Sequence, residues 1–156
     1  ESRYPIRVET YGLREDSCGP GEHRGGLGLV RQYRLLADDA VLQLRADRAK
    51  IPPYGLRGGG PAAPSRNILD PDGRAEEVPS KITRNVRKGD VIRHEQAGGG
   101  GYGDPLIRDP DLVAVDVADE KISRKFAEEN FGVVIQPGEA QPDLAATEVC
   151  RARLRS

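Results

Sequence analysis

Glycine dominates the stretch of this 156-residue chain that is best suited to hold a substrate or an anion, which reads Gly98-Gly99-Gly100-Gly101-Tyr102-Gly103-Asp104-Pro105. A residue without a Cβ can adopt positive φ, and it lets backbone N–H groups come close to another surface. Such a loop can cradle an anion, grip a substrate or form a tight corner. From the general behaviour of loops, the corner is favoured over the binding roles.

The spacing of these glycines does not predict a nucleotide site. Gly98, Gly100 and Gly103 satisfy the pattern G-x-G-x-x-G, but a dinucleotide site also needs a long helix that begins at the loop. Pro105 and Pro110 lie too close together for such a helix. The sequence contains no G-x-x-x-x-G-K-[ST] motif, which excludes a P-loop.

A second candidate loop carries His23 and Arg24 between glycines. A histidine can transfer protons near neutral pH, and an arginine can bind a phosphate or a carboxylate through two parallel hydrogen bonds. The residues leave open, at equal weight, a surface loop in which Arg24 forms a structural salt bridge. Ser17 with His23 is a weaker hypothesis, for a hydrolytic pair. We expect His94 to be structural or simply exposed.

The remaining titratable groups predict no metal site in this chain. Cys18 and Cys150 are far apart, and neither cysteine has the spacing of a metal ligand. Two reduced thiols in the cytoplasm are the default interpretation. Cys18 lies beside the candidate loop as either a reactive thiol or a buried packing residue, and the packing role is favoured.

Composition excludes two classes of partner. The 24 basic and 25 acidic side chains nearly cancel, which gives no field that would attract a nucleic acid. No stretch is long and apolar enough to span a membrane. We therefore expect neither nucleic acid nor membrane as a partner. The 19 glycines and 12 prolines predict many turns and short strands.

Residues 1 to about 100 alternate between apolar and polar side chains over short runs, which is typical of antiparallel strands. Residues 28–36 and 41–47 are predicted to form a hairpin, joined by the polar turn 37–40. Further turns are predicted at 70–73 and 87–90.

The pattern changes to helices after Asp104. Asp109, Ser123 and Asp143 are suited to be helix N-caps, and Gly132 is a natural stop. Residues 133–135 are predicted to form a short strand. The fold class is α+β, mainly β: an antiparallel sandwich or barrel-like sheet followed by two or three short C-terminal helices. A β-rich glycine-loop region, 1–104, and a helical region, 105–156, are expected to form one domain of a larger subunit.

Several motifs stand in a specific order along the chain, although each is weak alone. The series resembles the C-terminal part of the hydantoinase B/oxoprolinase family over nearly the whole chain. It comprises Tyr4-Pro5-Ile6-Arg7-Val8-Glu9, Leu13 to Gly21, His23 to Gly28, Asp47-Arg48, Pro53-Tyr54-Gly55-Leu56, Gly58-Gly59, Lys88-Gly89-Asp90, the glycine run, Arg108-Asp109-Pro110, Val113, Asp116-Val117, Ser123, Ala127, Phe131 to Val134, Asp143 and Ala146-Thr147.

The resemblance implies a two-subunit, ATP-dependent enzyme. In this family an A-type subunit binds ATP and phosphorylates the substrate, and a B-type subunit carries a divalent metal and completes the hydrolysis of a cyclic amide: a hydantoin, 5-oxoproline or a lactam. Family members are much longer than this chain, and their metal ligands lie in the N-terminal part. The expected partners are that N-terminal part and the A-type subunit, in a cytoplasmic hetero-oligomer. ATP and the metal are expected elsewhere in the complex.

The resemblance also implies that the glycine run lines or braces a site shared with the rest of the subunit. Loop candidates near the substrate or phosphate are His23, Arg24, Gly98, Gly99, Gly100, Gly101, Tyr102, Gly103 and Asp104. No catalytic residue is assigned, and this chain alone is expected to be inactive. Two alternatives remain: a segment of an ATP-dependent acetone or acetophenone carboxylase, and a non-catalytic assembly module.

Overall fold

A computed structural model describes residue 1 and residues 3–156 of the chain. These residues form two compact units, each built from three separate segments. The first, here the β unit, comprises Glu1–Arg14, Gly28–Pro52 and Pro64–Ala97. The second, here the glycine–helix unit, comprises Glu15–Leu27, Pro53–Ala63 and Gly98–Ser156. The sequence predicted one division of the chain, at residue 104, into two regions of a single domain. The two units combine segments from different parts of the chain, so that division stays a prediction.

The β unit contains two antiparallel sheets. One sheet has five strands in the order β1-β2-β7-β4-β5, and the other pairs β3 with β6. The strands are β1 Ile6–Leu13, β2 Leu29–Leu35, β3 Asp39–Arg45, β4 Arg66–Leu69, β5 Glu76–Glu77, β6 Lys81–Arg87 and β7 Val91–Glu95.

The predicted hairpin of residues 28–36 and 41–47 is wrong. Both segments are strands, but β2 pairs with β1 and β7 on its two edges, which leaves no edge for β3. The strand β3 pairs with β6 in the other sheet instead. Alternation of side chains indicates which face of a strand is buried, and it carries no information about which strand lies beside it.

Two predicted turns are confirmed. Gly73 N–H donates to Asp70 O at 3.0 Å, which closes the turn between the paired strands β4 and β5. Asp90 N–H donates to Arg87 O at 3.0 Å, and Gly89 has φ of +94° in that turn. Such turns can be predicted from sequence because the backbone preferences of Asp, Pro and Gly act over only a few positions.

The two sheets share one hydrophobic core and do not close into a barrel. The predicted α+β, mainly β fold is confirmed, and of the two predicted arrangements the structure shows the sandwich. Leu42 and Leu44 of β3 pack on it as their alternation predicted. The buried core residues are Leu35, Leu69, Val78, Val86 and Ile92. The five-stranded sheet contributes three of them, and β6 contributes Val86.

The glycine–helix unit contains the predicted C-terminal helices. They are α1 Pro110–Ala118, α2 Arg124–Phe131 and α3 Leu144–Arg155, preceded by a single 3₁₀ turn, Pro105–Ile107. Each predicted N-cap is confirmed: the side chains of Asp109, Ser123 and Asp143 accept a hydrogen bond from the first turn of their helices. Gly132 ends α2 in the left-handed conformation, with φ of 62°.

The helices pack on a core formed by Cys18, Val113, Ala114, Ile122, Ala127, Phe131, Val133 and Ile135. The predicted strand at 133–135 is absent from the described residues. Val133 N–H donates to Ala127 O, and Val134 N–H donates to Thr147 Oγ1 at 3.1 Å. These two N–H groups donate to the neighbouring helices, while Val133 and Ile135 contribute side chains to the core.

Ser123 joins the start of α2 to the loop around Asp16. The Ser123 hydroxyl donates to Asp16 Oδ2 at 2.7 Å and accepts from Phe126 N–H at 3.0 Å. We expect Ser123→Ala to lower the free energy of unfolding by about 1–2 kcal/mol, because it removes the cap and one carboxylate hydrogen bond. Urea unfolding measures this. Ser123→Thr keeps the hydroxyl, and an equal loss in that variant would show that the hydroxyl is not the cause.

No helix within the described part of the chain is both long and apolar enough to cross a membrane.

Candidate functional site

Three glycine-rich segments of the glycine–helix unit lie side by side and bond to each other through their backbones. Gly19 N–H donates to Gly99 O at 2.8 Å, Gly101 N–H to Gly60 O at 3.0 Å, and Gly60 N–H to Pro20 O at 2.7 Å. We call this arrangement the glycine core, and its segments are 17–26, 54–60 and 98–103. It brings together both loops that the sequence singled out and adds a third.

The lack of side chains is what permits this packing. A Cβ built on Gly25 would overlap the carbonyl group of Gly99, and one on Gly101 would overlap the carbonyl group of Pro20. Backbone atoms at these positions cannot move away as a flexible side chain could. Of the glycines in 98–103, only Gly103 has positive φ, +79°. The run therefore serves close backbone packing, and positive φ contributes at one position.

The glycine run does not fit a phosphate cradle, because its donors are already engaged. A cradle needs several backbone N–H groups that point at the ligand. Five N–H groups of the run donate within the unit instead: Gly98 to Ala63 O, Gly99 to Gly26 O, Gly101 to Gly60 O, Tyr102 to His23 O and Gly103 to Leu56 O. The described residues of the run thus offer little to the phosphates of ATP.

The outer side of the glycine core carries a surface of three exposed side chains, His23, Leu56 and Tyr102, here called the Tyr102 surface. His23 and Tyr102 exchange two backbone hydrogen bonds, both 2.9 Å, as an antiparallel pair, and Leu56 pairs with Tyr102 in parallel. Directly paired residues project to the same face. The His23 and Tyr102 ring centroids are 6.3 Å apart. Leu56 is 56% exposed and Tyr102 47% exposed, which leaves a histidine beside apolar area open to contact.

Arg24 points away from solvent into a charged cluster. Its Nε donates to Asp116 Oδ2 at 2.7 Å and its Nη2 to Asp116 Oδ1 at 2.8 Å, as a forked pair. Arg108 Nη2 donates to the same Oδ2 at 3.0 Å, and Lys121 Nζ lies 3.7 Å from Oδ1. We call these four residues the Asp116 cluster. Of the two interpretations left open for Arg24, the structure shows the salt bridge.

The charges in the Asp116 cluster favour the ionised carboxylate. Asp116 is only 4% exposed, and burial alone would raise its pKa. The hydrogen bonds and charges of Arg24 and Arg108 outweigh burial and hold the pKa of Asp116 below its ordinary value. In return, the hydrogen bond that Arg24 donates to Asp116 raises the pKa of Arg24.

The other candidates occupy structural positions. Ser17 is fully buried whereas His23 is exposed, so Ser17 is not accessible to a substrate as a nucleophile. Cys18 is buried in the helical core, and burial raises the pKa of its thiol. Asp104 caps the 3₁₀ turn by accepting from Leu106 N–H at 2.8 Å. The burial of Ser17 and Cys18 and the cap formed by Asp104 are structural features of the glycine–helix unit.

Sequence reasoning missed the role of Asp116, although a signal was present. Val113, Asp116 and Val117 recur at helical spacing, which places the carboxylate on the buried face of α1. A charged residue on such a face needs a buried partner. Nothing in the sequence indicated that Arg24 would supply it.

The described residues do not fit a metal centre. They contain no group of three or more His, Cys, Asp or Glu side chains placed to hold a metal ion.

Comparison with known proteins places the chain in a family. The model of the family hydantoinase B/oxoprolinase matches residues 1–105. The chain belongs to the hydantoinase B/oxoprolinase family. An uncharacterized protein of Methanocaldococcus jannaschii is 43% identical over 86% of this chain and 24% of its own length. The caprolactamase subunit beta of Pseudomonas jessenii is 32% identical over 97% of this chain and 27% of its own length.

Two solved structures share the fold of this chain. The ATP-dependent caprolactamase from Pseudomonas jessenii has a TM-score of 0.84 and 29% identity, covering 97% of this chain and 27% of that chain. Acetone carboxylase in its nucleotide-free form has a TM-score of 0.80 and 25% identity, covering 97% of this chain and 25% of that chain. The chain spans about a quarter of the length of these two curated relatives.

Proposed function

We propose that this chain is a segment of the B-type subunit of an ATP-dependent enzyme that hydrolyses a cyclic amide. The observation that carries the proposal is the agreement with the caprolactamase beta subunit, in sequence and in fold, over 97% of the chain. Phosphorylation of an amide oxygen makes an unreactive ring susceptible to water, which gives ATP a chemical role in such a reaction. In this proposal, ATP and a divalent metal bind outside this segment, within a hetero-oligomer that includes an A-type subunit.

The role that the structure supports for this segment is to brace the subunit. The glycine core uses its own donors internally, so it serves as a rigid platform. In this proposal, the exposed Tyr102 surface on this platform contacts the preceding part of the same subunit or the substrate.

The test is ATP-dependent turnover by the complete protein with its partner subunit. Candidate substrates are hydantoin, 5-oxoproline and caprolactam, and the products are the ring-opened acid, ADP and phosphate. We expect ring opening of at least one substrate, with none in the absence of ATP. Acetone with bicarbonate is the parallel assay for the carboxylase branch, which the TM-score of 0.80 to acetone carboxylase keeps as the second candidate. Carboxylation without ring opening would overturn the first proposal.

Loss of the Tyr102 ring should impair the complete enzyme. Contact of an exposed aromatic side chain with another surface is worth about 1.5–3 kcal/mol. We therefore expect Tyr102→Ser to lower kcat/KM, or the yield of assembled enzyme, by about tenfold to a hundredfold. The control is Tyr4→Ser, since Tyr4 is also exposed but lies in the β unit. If both variants assemble and react like wild type, the Tyr102 surface is not a contact surface.

A further inference from the structure

The β unit contains a cleft of about 300 Å³ beside the core that its two sheets share. The residues that matter for its chemistry are contributed by three strands. They are Arg31 and Tyr33 from β2, Leu42 and Leu44 from β3, and Ile92 and His94 from β7.

Strand register arranges this lining into a polar row and an apolar row. Arg31 lies opposite His94, and His94 lies opposite Asn67, so the three side chains form a line across β2, β7 and β4 on one face. Two positions along, Tyr33 lies opposite Ile92 in the same way. The cleft therefore has a cationic, hydrogen-bonding end beside an apolar wall.

Arg31 has unused hydrogen-bonding capacity at this site. Its Nε is buried and has no hydrogen-bond partner among the residues that the structure describes. Buried N–H groups in proteins are almost always paired, because an unpaired one has lost its hydration without a replacement. An anion in the cleft would supply the opposite charge for the Arg31 guanidinium.

His94 offers the complementary group. Its Nδ1–H donates to Asn67 Oδ1 at 2.7 Å, which fixes the ring and leaves Nε2 unused by that bond. Burial lowers the pKa of His94, and the Arg31 charge lowers it further, so the ring is neutral and Nε2 is an acceptor. A ligand with a donor near its anionic group would satisfy both side chains.

We propose that this cleft binds a small monocarboxylate with an apolar body. The carboxylate pairs with the Arg31 guanidinium, because the planar guanidinium can donate two parallel hydrogen bonds to a carboxylate. The body lies against Tyr33 and the leucines of β3. A hydroxyl or amide N–H beside the carboxylate donates to His94 Nε2. A phosphate has no body to contact these apolar side chains, although Gln43 and Arg45 also line the cleft. The site is independent of the proposed enzymatic function, because it needs only residues of the β unit.

Carbethoxylation of histidine by diethyl pyrocarbonate, mapped by peptide mass spectrometry on the complete protein, tests the proposal. The reagent attacks neutral imidazole, so free Nε2 of His94 should react, and a bound ligand should cover it. Phenylacetate is the probe. At about ten times its dissociation constant it should slow modification of His94 by about tenfold, because about one cleft in eleven is then empty. N-acetylhistidine added to the same sample is the reference and should react equally with and without probe.

Two further probes and two variants define the result. Phenylacetamide, which lacks the charge, and inorganic phosphate, which lacks the apolar body, should each protect His94 at least about tenfold more weakly. Arg31→Met should abolish protection by phenylacetate. Arg34→Met is the matched control, because Arg34 lies on the opposite face of the same strand and should keep protection.

Several outcomes would overturn the proposal. If phenylacetamide protects as well as phenylacetate, the cleft is an apolar pocket without anion recognition. If phosphate protects His94 as well as phenylacetate does, the cleft binds anions whether or not they carry an apolar group. If His94 is unreactive without any probe while N-acetylhistidine reacts, the cleft is closed to small molecules in the complete protein. Protection that survives in Arg31→Met assigns binding to other residues.

Discussion

Gly25→Ala should lower the free energy of unfolding by at least about 3 kcal/mol, whereas Gly26→Ala, one residue further on, should change it by less than about 1 kcal/mol. A Cβ at Gly25 would overlap backbone atoms of Gly99, so either the two segments separate or their hydrogen bonds break. A Cβ at Gly26 meets nothing within 4 Å. Neither glycine has positive φ, so backbone strain does not separate the two variants.

Thermal and urea unfolding of the two variants measure this difference. Gly101→Ala is the corresponding change in the glycine run itself, where the Cβ would overlap the backbone of Pro20. It should behave like Gly25→Ala. Equal stability of Gly25→Ala and Gly26→Ala would show that the glycine core is loosely packed, and its role as a platform would then lose its support.

Asp116→Asn should lower the free energy of unfolding by about 3–5 kcal/mol, because it leaves Arg24 and Arg108 partly buried without their counter-charge. The control is Asp119→Asn. Asp119 pairs with Lys121 at 2.8 Å but is half exposed, so its loss should cost less than about 1 kcal/mol. Both values come from urea unfolding at neutral pH. A loss of similar size in the two variants would contradict the structural role of the Asp116 cluster.

The Asp116 cluster also predicts a pH dependence with a definite sign. The pKa of Asp116 is lower in the folded protein than its unfolded value of about 3.9. The stabilisation that the ionised Asp116 adds to the free energy of unfolding is therefore complete above that unfolded pKa. It is lost as pH falls through the lower, folded pKa. Wild type should lose stability in this acidic range more steeply than Asp116→Asn does. Parallel pH profiles for the two proteins would show that Asp116 is not held ionised by its neighbours.

Local features of the fold could be predicted from the sequence because each depends on a few adjacent residues. The helix starts at Asp109, Ser123 and Asp143 are examples, since an N-cap needs only a short polar side chain before an apolar repeat. The stop at Gly132 and the turn at Gly89 follow from glycine at positive φ. The ordered motif series likewise indicated the family from the sequence alone.

Pairings between distant segments could not be predicted in this way. The hairpin of residues 28–36 and 41–47 was wrong because alternation defines a buried face and leaves the neighbouring strand undetermined. The strand at 133–135 was wrong because an apolar run alone does not reveal whether strands or helices surround it.

The sequence by itself determined the fold class, the starts of the three helices, the stop at Gly132 and the family, and it singled out two glycine-rich loops. Only the tertiary structure showed that these loops pack on each other and on a third segment, and that Arg24 meets Asp116 across 92 positions of the chain. It alone placed Arg31 opposite His94. The physical reason is range: capping and turn preferences act over a few bonds, whereas backbone approach and buried ion pairs depend on which distant segments the whole core brings together.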